Sequence, residues 1–124
     1  MTVADSDVLI DFLRASEPEA TQVAEALRHG RLATTVLNLF ELVSGAHGRR
    51  QQEGVADLLA ALVIYPMDEP SAQRAAEVRR DLEARGEGIG MADYLIAGIC
   101  LAHGVPLLTR NRRHFERVGG LSLV

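Results

Sequence analysis

Three carboxylates and one short polar segment are the parts of this sequence whose types and settings could do chemistry. They are Asp5, Glu41 and Asp93, with Thr109-Arg110-Asn111 near the end of the chain. Asp5 follows the apolar pair Val3-Ala4. Glu41 is surrounded by Leu39, Phe40, Leu42 and Val43 and is expected to lie buried in an apolar helix, where a carboxylate costs free energy unless something compensates it. Asp93 falls in the first turn of a helix, a position the helix dipole alone could account for, and Asp5 could simply cap the helix after it. If the three acids converge, each pair at about 5 Å repels by roughly 3 kcal/mol at an effective dielectric of 20. Such a cluster persists if a cation sits in it or if some of the acids stay protonated. Ligands that are all oxygen suit a hard cation, Mg²⁺ or Mn²⁺, over zinc. Spacing alone does not show convergence.

The elements that must position these residues alternate between short apolar runs and helical patterns. Val3-Ala4 reads as a minimal first strand, followed by a helix with Val8, Leu9, Phe12 and Leu13 on one face. Pro18 opens a second helix that Gly30 ends. Residues 31–34 form a second strand, and Thr34 or Thr35 caps a helix running through Glu41 to Gly45. Val55, Leu58, Leu59 and Leu62 fit a helix ending near residue 62, and Val63-Ile64-Tyr65 a third strand. Helices over residues 71–85 and 91–103 end at Gly86 and Gly104. Residues 105–109 are a fourth strand, and residues 121–123 a candidate fifth. This order predicts an α/β fold, a three-layer α/β/α arrangement on a short parallel sheet, as a single domain over residues 1–124. Ligands of open α/β sheets bind beyond the carboxyl ends of the strands, which is where Asp5, Thr109 and Asn111 fall.

Composition narrows the function classes. With 48% apolar and 24% charged residues in 124, the chain reads as one ordinary globular domain. All 13 basic residues are arginine, yet the net charge is −4, so bulk charge does not bring in nucleic acid; a bound metal could. Aromatics are only 4% of the chain, which argues against base stacking as the main recognition mode. The one cysteine, Cys100, lies in an apolar run and is expected as a buried thiol, consistent with a reducing, cytoplasmic setting. No run is long enough for a membrane span, and the acidic start does not read as a signal peptide.

The same residues carry a family resemblance. Residues 4–13, Ala-Asp-Ser-Asp-Val-Leu-Ile-Asp-Phe-Leu, resemble the opening of PIN-domain proteins, in which an Asp closes the first strand. Residues 38–46 are similar to the family's second motif with Glu41 as its acid, residues 90–97 to the third with Asp93, and residues 107–115 to the fourth. All four stand in register across essentially the whole chain. The resemblance is to the VapC-like toxins of type II toxin–antitoxin systems. It implies a Mg²⁺- or Mn²⁺-dependent endoribonuclease with Asp5, Glu41 and Asp93 as catalytic metal ligands. It also implies inhibition by a small VapB-like antitoxin, a homodimer and toxin–antitoxin hetero-oligomers.

One departure stands out: many members carry an acid where this chain has Asn111 or His114. Thr109, Asn111 and Ser6 are therefore expected as neutral supporting residues. Arg110, Arg112 and Arg113, with Arg117 nearby, are candidates for gripping RNA phosphates or else a solvated turn. Asp7 is a spare acid, expected to cap a helix or face solvent. Gly86-Glu87-Gly88-Ile89-Gly90 follows a helix, so it reads as a helix stop and flexible approach to Asp93 and does not match a nucleotide loop. The contrasting functional class is a catalytically weak PIN-like module that binds RNA or protein.

Overall fold

The computed structural model describes residues 1–124. Four parallel strands, β1 (Thr2–Ala4), β2 (Leu32–Thr35), β3 (Val63–Tyr65) and β4 (Leu107–Leu108), form one sheet in the order β3-β2-β1-β4. The helices are α1 (Ser6–Leu13), α2 (Glu19–Arg28), α3 (Val36–Gly45), α4 (Gly48–Ala60), α5 (Glu69–Ala84), α6 (Met91–His103) and a short α7 (Arg112–Phe115). Neighbouring residues of a strand point to opposite faces of a sheet, and the two cores follow that rule. Val3, Ala33 and Leu107 pack with α5, α6 and α7 on one face. Ala4, Leu32 and Leu108 pack with α1, α2 and α4 on the other. The predicted three-layer α/β/α arrangement is thus the observed one.

The layer of α5 and α6 is pressed together at Gly98. A Cβ there would come within 2.5 Å of the Ser71 carbonyl oxygen, so no larger residue fits without separating the helices. Cys100 is 1% exposed in this layer, and burial pushes its thiol up to about 12. It is a packing residue, as expected. No helix is long and apolar enough to cross a membrane.

Three expectations shift. The fourth strand shortens from residues 105–109 to Leu107–Leu108, since Pro106 has no N–H to give the ladder. The fifth is only a bridge from Leu107 to Leu123. The larger correction concerns Glu41, which is exposed. Helix α3 is apolar almost all round, so its inward face could not be read from pattern. It buries Asn38 and Leu42, one turn apart, and leaves Phe40 67% and Val43 54% exposed.

Because the strands are parallel, Asp5, Thr35 and Thr109 all emerge at the same edge of the sheet. The chain turns outward in both directions from β1, with β2 on one side and β4 on the other. The crevice beyond β1 and β4 is the place where such sheets bind ligands.

Candidate active site

Asp5 is the centre of the site. It is the N-cap of α1, with Oδ1 accepting from the Ser6 N–H at 2.8 Å. The same oxygen accepts from Asn38 Nδ2 at 2.9 Å, and Oδ2 accepts from Thr109 Oγ1 at 2.7 Å. Its capping role and a chemical role are therefore not alternatives. Asp5 is only 8% exposed, and burial raises its carboxyl to about 6 in spite of these donors, with Asp7 and then Asp93 adding repulsion.

Asn38 joins Asp5 to Glu41. The first turn of α3 is a capping box in which Thr35 Oγ1 accepts from the Asn38 N–H. Asn38 Oδ1 in turn accepts from Thr35 Oγ1 at 2.7 Å, which fixes the amide so that Nδ2 faces the acids. From there Nδ2 reaches Asp5 Oδ1 at 2.9 Å, Ser6 Oγ at 3.0 Å and Glu41 Oε1 at 3.5 Å. Ser6 Oγ donates to Glu41 Oε1 at 2.9 Å. The Asp5 and Glu41 oxygens lie no farther apart than two hydrogen bonds end to end. Glu41 is therefore held by polar partners at the surface and not stranded in a core. Asn38 is fully buried, and composition gave it no role. Its signal was its place three residues after Thr35 and three before Glu41, on one face of the helix.

Asp93 stands on the other side. Its Oδ2 lies 3.0 Å from His114 Nδ1 and 3.3 Å from Asn111 Nδ2, and Asn111 Nδ2 is 2.9 Å from the same His114 nitrogen. A protonated Nδ1 can donate to Asp93 but cannot accept from Asn111. An unprotonated one can accept from Asn111 but then faces Asp93 as a second acceptor. No single assignment satisfies all three contacts. The Asn111 N–H donates to Thr109 Oγ1 at 3.0 Å, and Thr109 donates to Asp5. A polar chain thus runs from Asp93 through Asn111 and Thr109 to Asp5, and on through Asn38 and Ser6 to Glu41.

All the acids offer oxygen, which is the donor chemistry of a hard divalent cation. Burial disfavours the charged form of Asp5, with Asp7 and Asp93 adding to the effect, and a bound cation would offset both. The arrangement is nonetheless open, since no three His, Cys, Asp or Glu side chains are gathered closely enough to hold a metal ion together. Asp93 is engaged by His114 and Asn111 and is linked to Asp5 through Asn111 and Thr109.

The basic cluster is partly engaged within the chain. Arg110 donates its N–H to Asp7 Oδ2 at 3.1 Å, and its Nε is 2.8 Å from the buried Asp11, a charge contact not aligned as a hydrogen bond. Arg112 donates to the Val124 carbonyl at 2.9 Å. Arg117 donates to the carbonyls of Glu87 and Gly88, so the glycine segment before Asp93 is pinned in place, not a flexible approach. Arg113 alone of the four is exposed and without an intramolecular partner. Asp7 is half-buried with its carboxyl raised by burial, so it is neither a free surface acid nor a cap.

Comparison with known proteins agrees with this geometry. The chain is 35% identical over 115 residues to Ribonuclease VapC10 of Mycobacterium tuberculosis, covering 93% of this chain and 86% of that protein. It is 27% identical over 121 residues to the tRNA(fMet)-specific endonuclease VapC of Shigella flexneri, covering 94% and 91%. The fold matches a DNA-bound VapBC structure from Salmonella typhimurium with a TM-score of 0.88 at 25% identity, over 99% of this chain and 96% of that one. The sequence profile of the PIN domain matches residues 2–121, and the chain belongs to the PIN domain family.

Proposed function

We propose that this chain is a Mg²⁺- or Mn²⁺-dependent endoribonuclease, the toxin of a toxin–antitoxin pair held inactive by a small VapB-like antitoxin. The observation that carries this reading is the continuous polar chain linking Asp93, Asp5 and Glu41 across the carboxyl edge of a PIN-family sheet. Asp5 and Glu41 would hold the cation, and Asp93 would join them on leaving His114. Once bound, the cation supplies Lewis-acid polarisation of the phosphodiester and a more acidic water. The chain's own part is positional. Asn38 and Ser6 hold the Asp5 and Glu41 carboxylates side by side. Thr109 fixes the second oxygen of Asp5, so that charge is presented in one direction. Names of similar proteins, ribonucleases and a tRNA-specific endonuclease, support RNA as the substrate class. The solved VapBC complexes support an antitoxin partner and toxin–antitoxin hetero-oligomers. The outward Phe40 and Val43 on α3 and Leu13 on α1, an exposed apolar surface, suit such a partner or a second copy in a homodimer.

The second reading, a catalytically weak module that binds RNA or protein, draws on the occupied Asp93 and the missing fourth acid. RNA cleavage separates the two. Purified protein should cut single-stranded RNA with Mg²⁺ or Mn²⁺ and stop in EDTA. Binding of RNA without cutting under any of these conditions would support the module instead.

A further inference from the structure

We infer that RNA reaches the acids along the groove between α1, α3 and α4, gripped through its phosphates by Arg14 and Arg50. The inference rests on the nuclease reading and names the substrate path that reading leaves open. The groove has a volume of about 480 Å³ and is lined by Arg14, Glu41, Leu42, Arg50, Gln51 and Val55 among others. Glu41 ties it to the site, since the residue lines the groove and its carboxylate accepts from Ser6 beside Asp5.

The two arginines are distinguished by place as well as by what they do not touch, since Arg31, Arg80 and Arg113 are also unpaired but do not line the groove. Most arginines of this chain are consumed within it, and Arg49, next to Arg50, pairs with Glu53 at 3.0 Å. Arg14 and Arg50 are exposed and form no ion pair within the chain. Their guanidinium donors are free for bidentate contacts with phosphate oxygens. A second groove, between α2 and the start of α7, differs in that its arginines are already engaged. The groove there is lined by Arg110 and Arg112, already bound to Asp11 and to the Val124 carbonyl, and by the acid Glu19. On a chain with a net charge of −4, a polyanion is attracted only where cations are free and local. The unpaired charge at this mouth favours an RNA backbone as the occupant, with the apolar floor of Leu42 and Val55 under sugars and bases.

The test measures binding of a fluorescently labelled, mixed-sequence single-stranded RNA over a range of salt concentrations. It compares the wild type with Arg14→Gln, Arg50→Gln, the double variant and Arg113→Gln, with cleavage kinetics alongside. Each groove substitution should flatten the slope of log affinity against log salt by about 0.7, as expected when one phosphate contact of a single strand is lost. The double variant should bind about tenfold more weakly and raise KM with little change in kcat. Unchanged slopes and KM in the double variant would overturn the inference, more so if Arg113→Gln carried the loss. Unchanged RNA binding with lost binding of a poly-glutamate peptide would also overturn it and assign the groove to a protein. Absence of cutting in every divalent cation, with the predicted loss of RNA binding, would leave the groove assignment standing and remove the nuclease reading.

Discussion

The two sides of Asp5 are built differently. On the α3 side, Glu41 is held by a serine and by an asparagine amide locked by Thr35, and every partner has one consistent role. On the α6 side, Asp93 shares one His114 nitrogen with Asn111, and the donors and acceptors cannot all be matched. The first side is preorganised, so its charges stand in fixed positions before anything binds. The second is where this chain has Asn111 and His114 in place of an acid, and it is there that both engage the third carboxylate. One side fixes geometry, and the other leaves its donors and acceptors unmatched.

The largest expected effect comes from the residue common to both sides. Asp5→Asn should lower RNA cleavage by about a thousandfold or more, measured as kcat/KM, since it removes the central charge. Near wild-type activity would dissolve the comparison altogether. Asn38→Ala should lower cleavage by about 10- to 100-fold and weaken Mn²⁺ binding, the range typical of residues that orient metal ligands. Asn38→Asp should not restore it, because the amide donors are what the neighbouring carboxylates need.

The pH dependence of stability tests the burial of Asp5. Its carboxyl is raised from 3.8 to about 6 in the folded chain, so the unfolded chain ionises first as pH rises. The folded state then binds more protons, and stability falls as pH rises through that window and levels off above it. A displacement of this size corresponds to roughly 3 kcal/mol, and Asp7, raised in the same direction, adds to it. Metal-free protein should therefore melt at a lower temperature at pH 7 than at pH 5, and Asp5→Asn should flatten that difference. The smallest effect is expected on the α6 side. His114→Ala frees Asp93 and should tighten Mn²⁺ binding a few-fold, whereas a weakening would make His114 part of the site and not a competitor.

The fold was largely legible because hydrophobic periodicity and glycine stops record which residues meet a core. Val3-Ala4, Leu107-Leu108 and the Val55–Leu62 pattern each led to the right element. Asp5, Glu41 and Asp93 do lie along one polar chain, but for Glu41 the physical reason given by its setting was wrong. Apolar neighbours suggest burial only if they are themselves inside, and Phe40 and Val43 are not. The bond from Asn38 to Asp5 and the partners of Arg110 were invisible for another reason, although the place of Asn38 beside the Thr35 cap was not. Their meaning lies in contacts spanning 33 residues for Asn38 and Asp5 and 103 for Arg110 and Asp7, and no local pattern records these.

The central claim is that Asp5, Glu41 and Asp93 form one cation site. Mn²⁺ binding, followed by calorimetry on the wild type, Glu41→Gln and Asp93→Asn, addresses it most directly. The wild type should show a single class of site, weakened about tenfold or more by either substitution. Binding that survives Asp93→Asn unchanged would contradict it and leave Asp5 and Glu41 as a two-acid site.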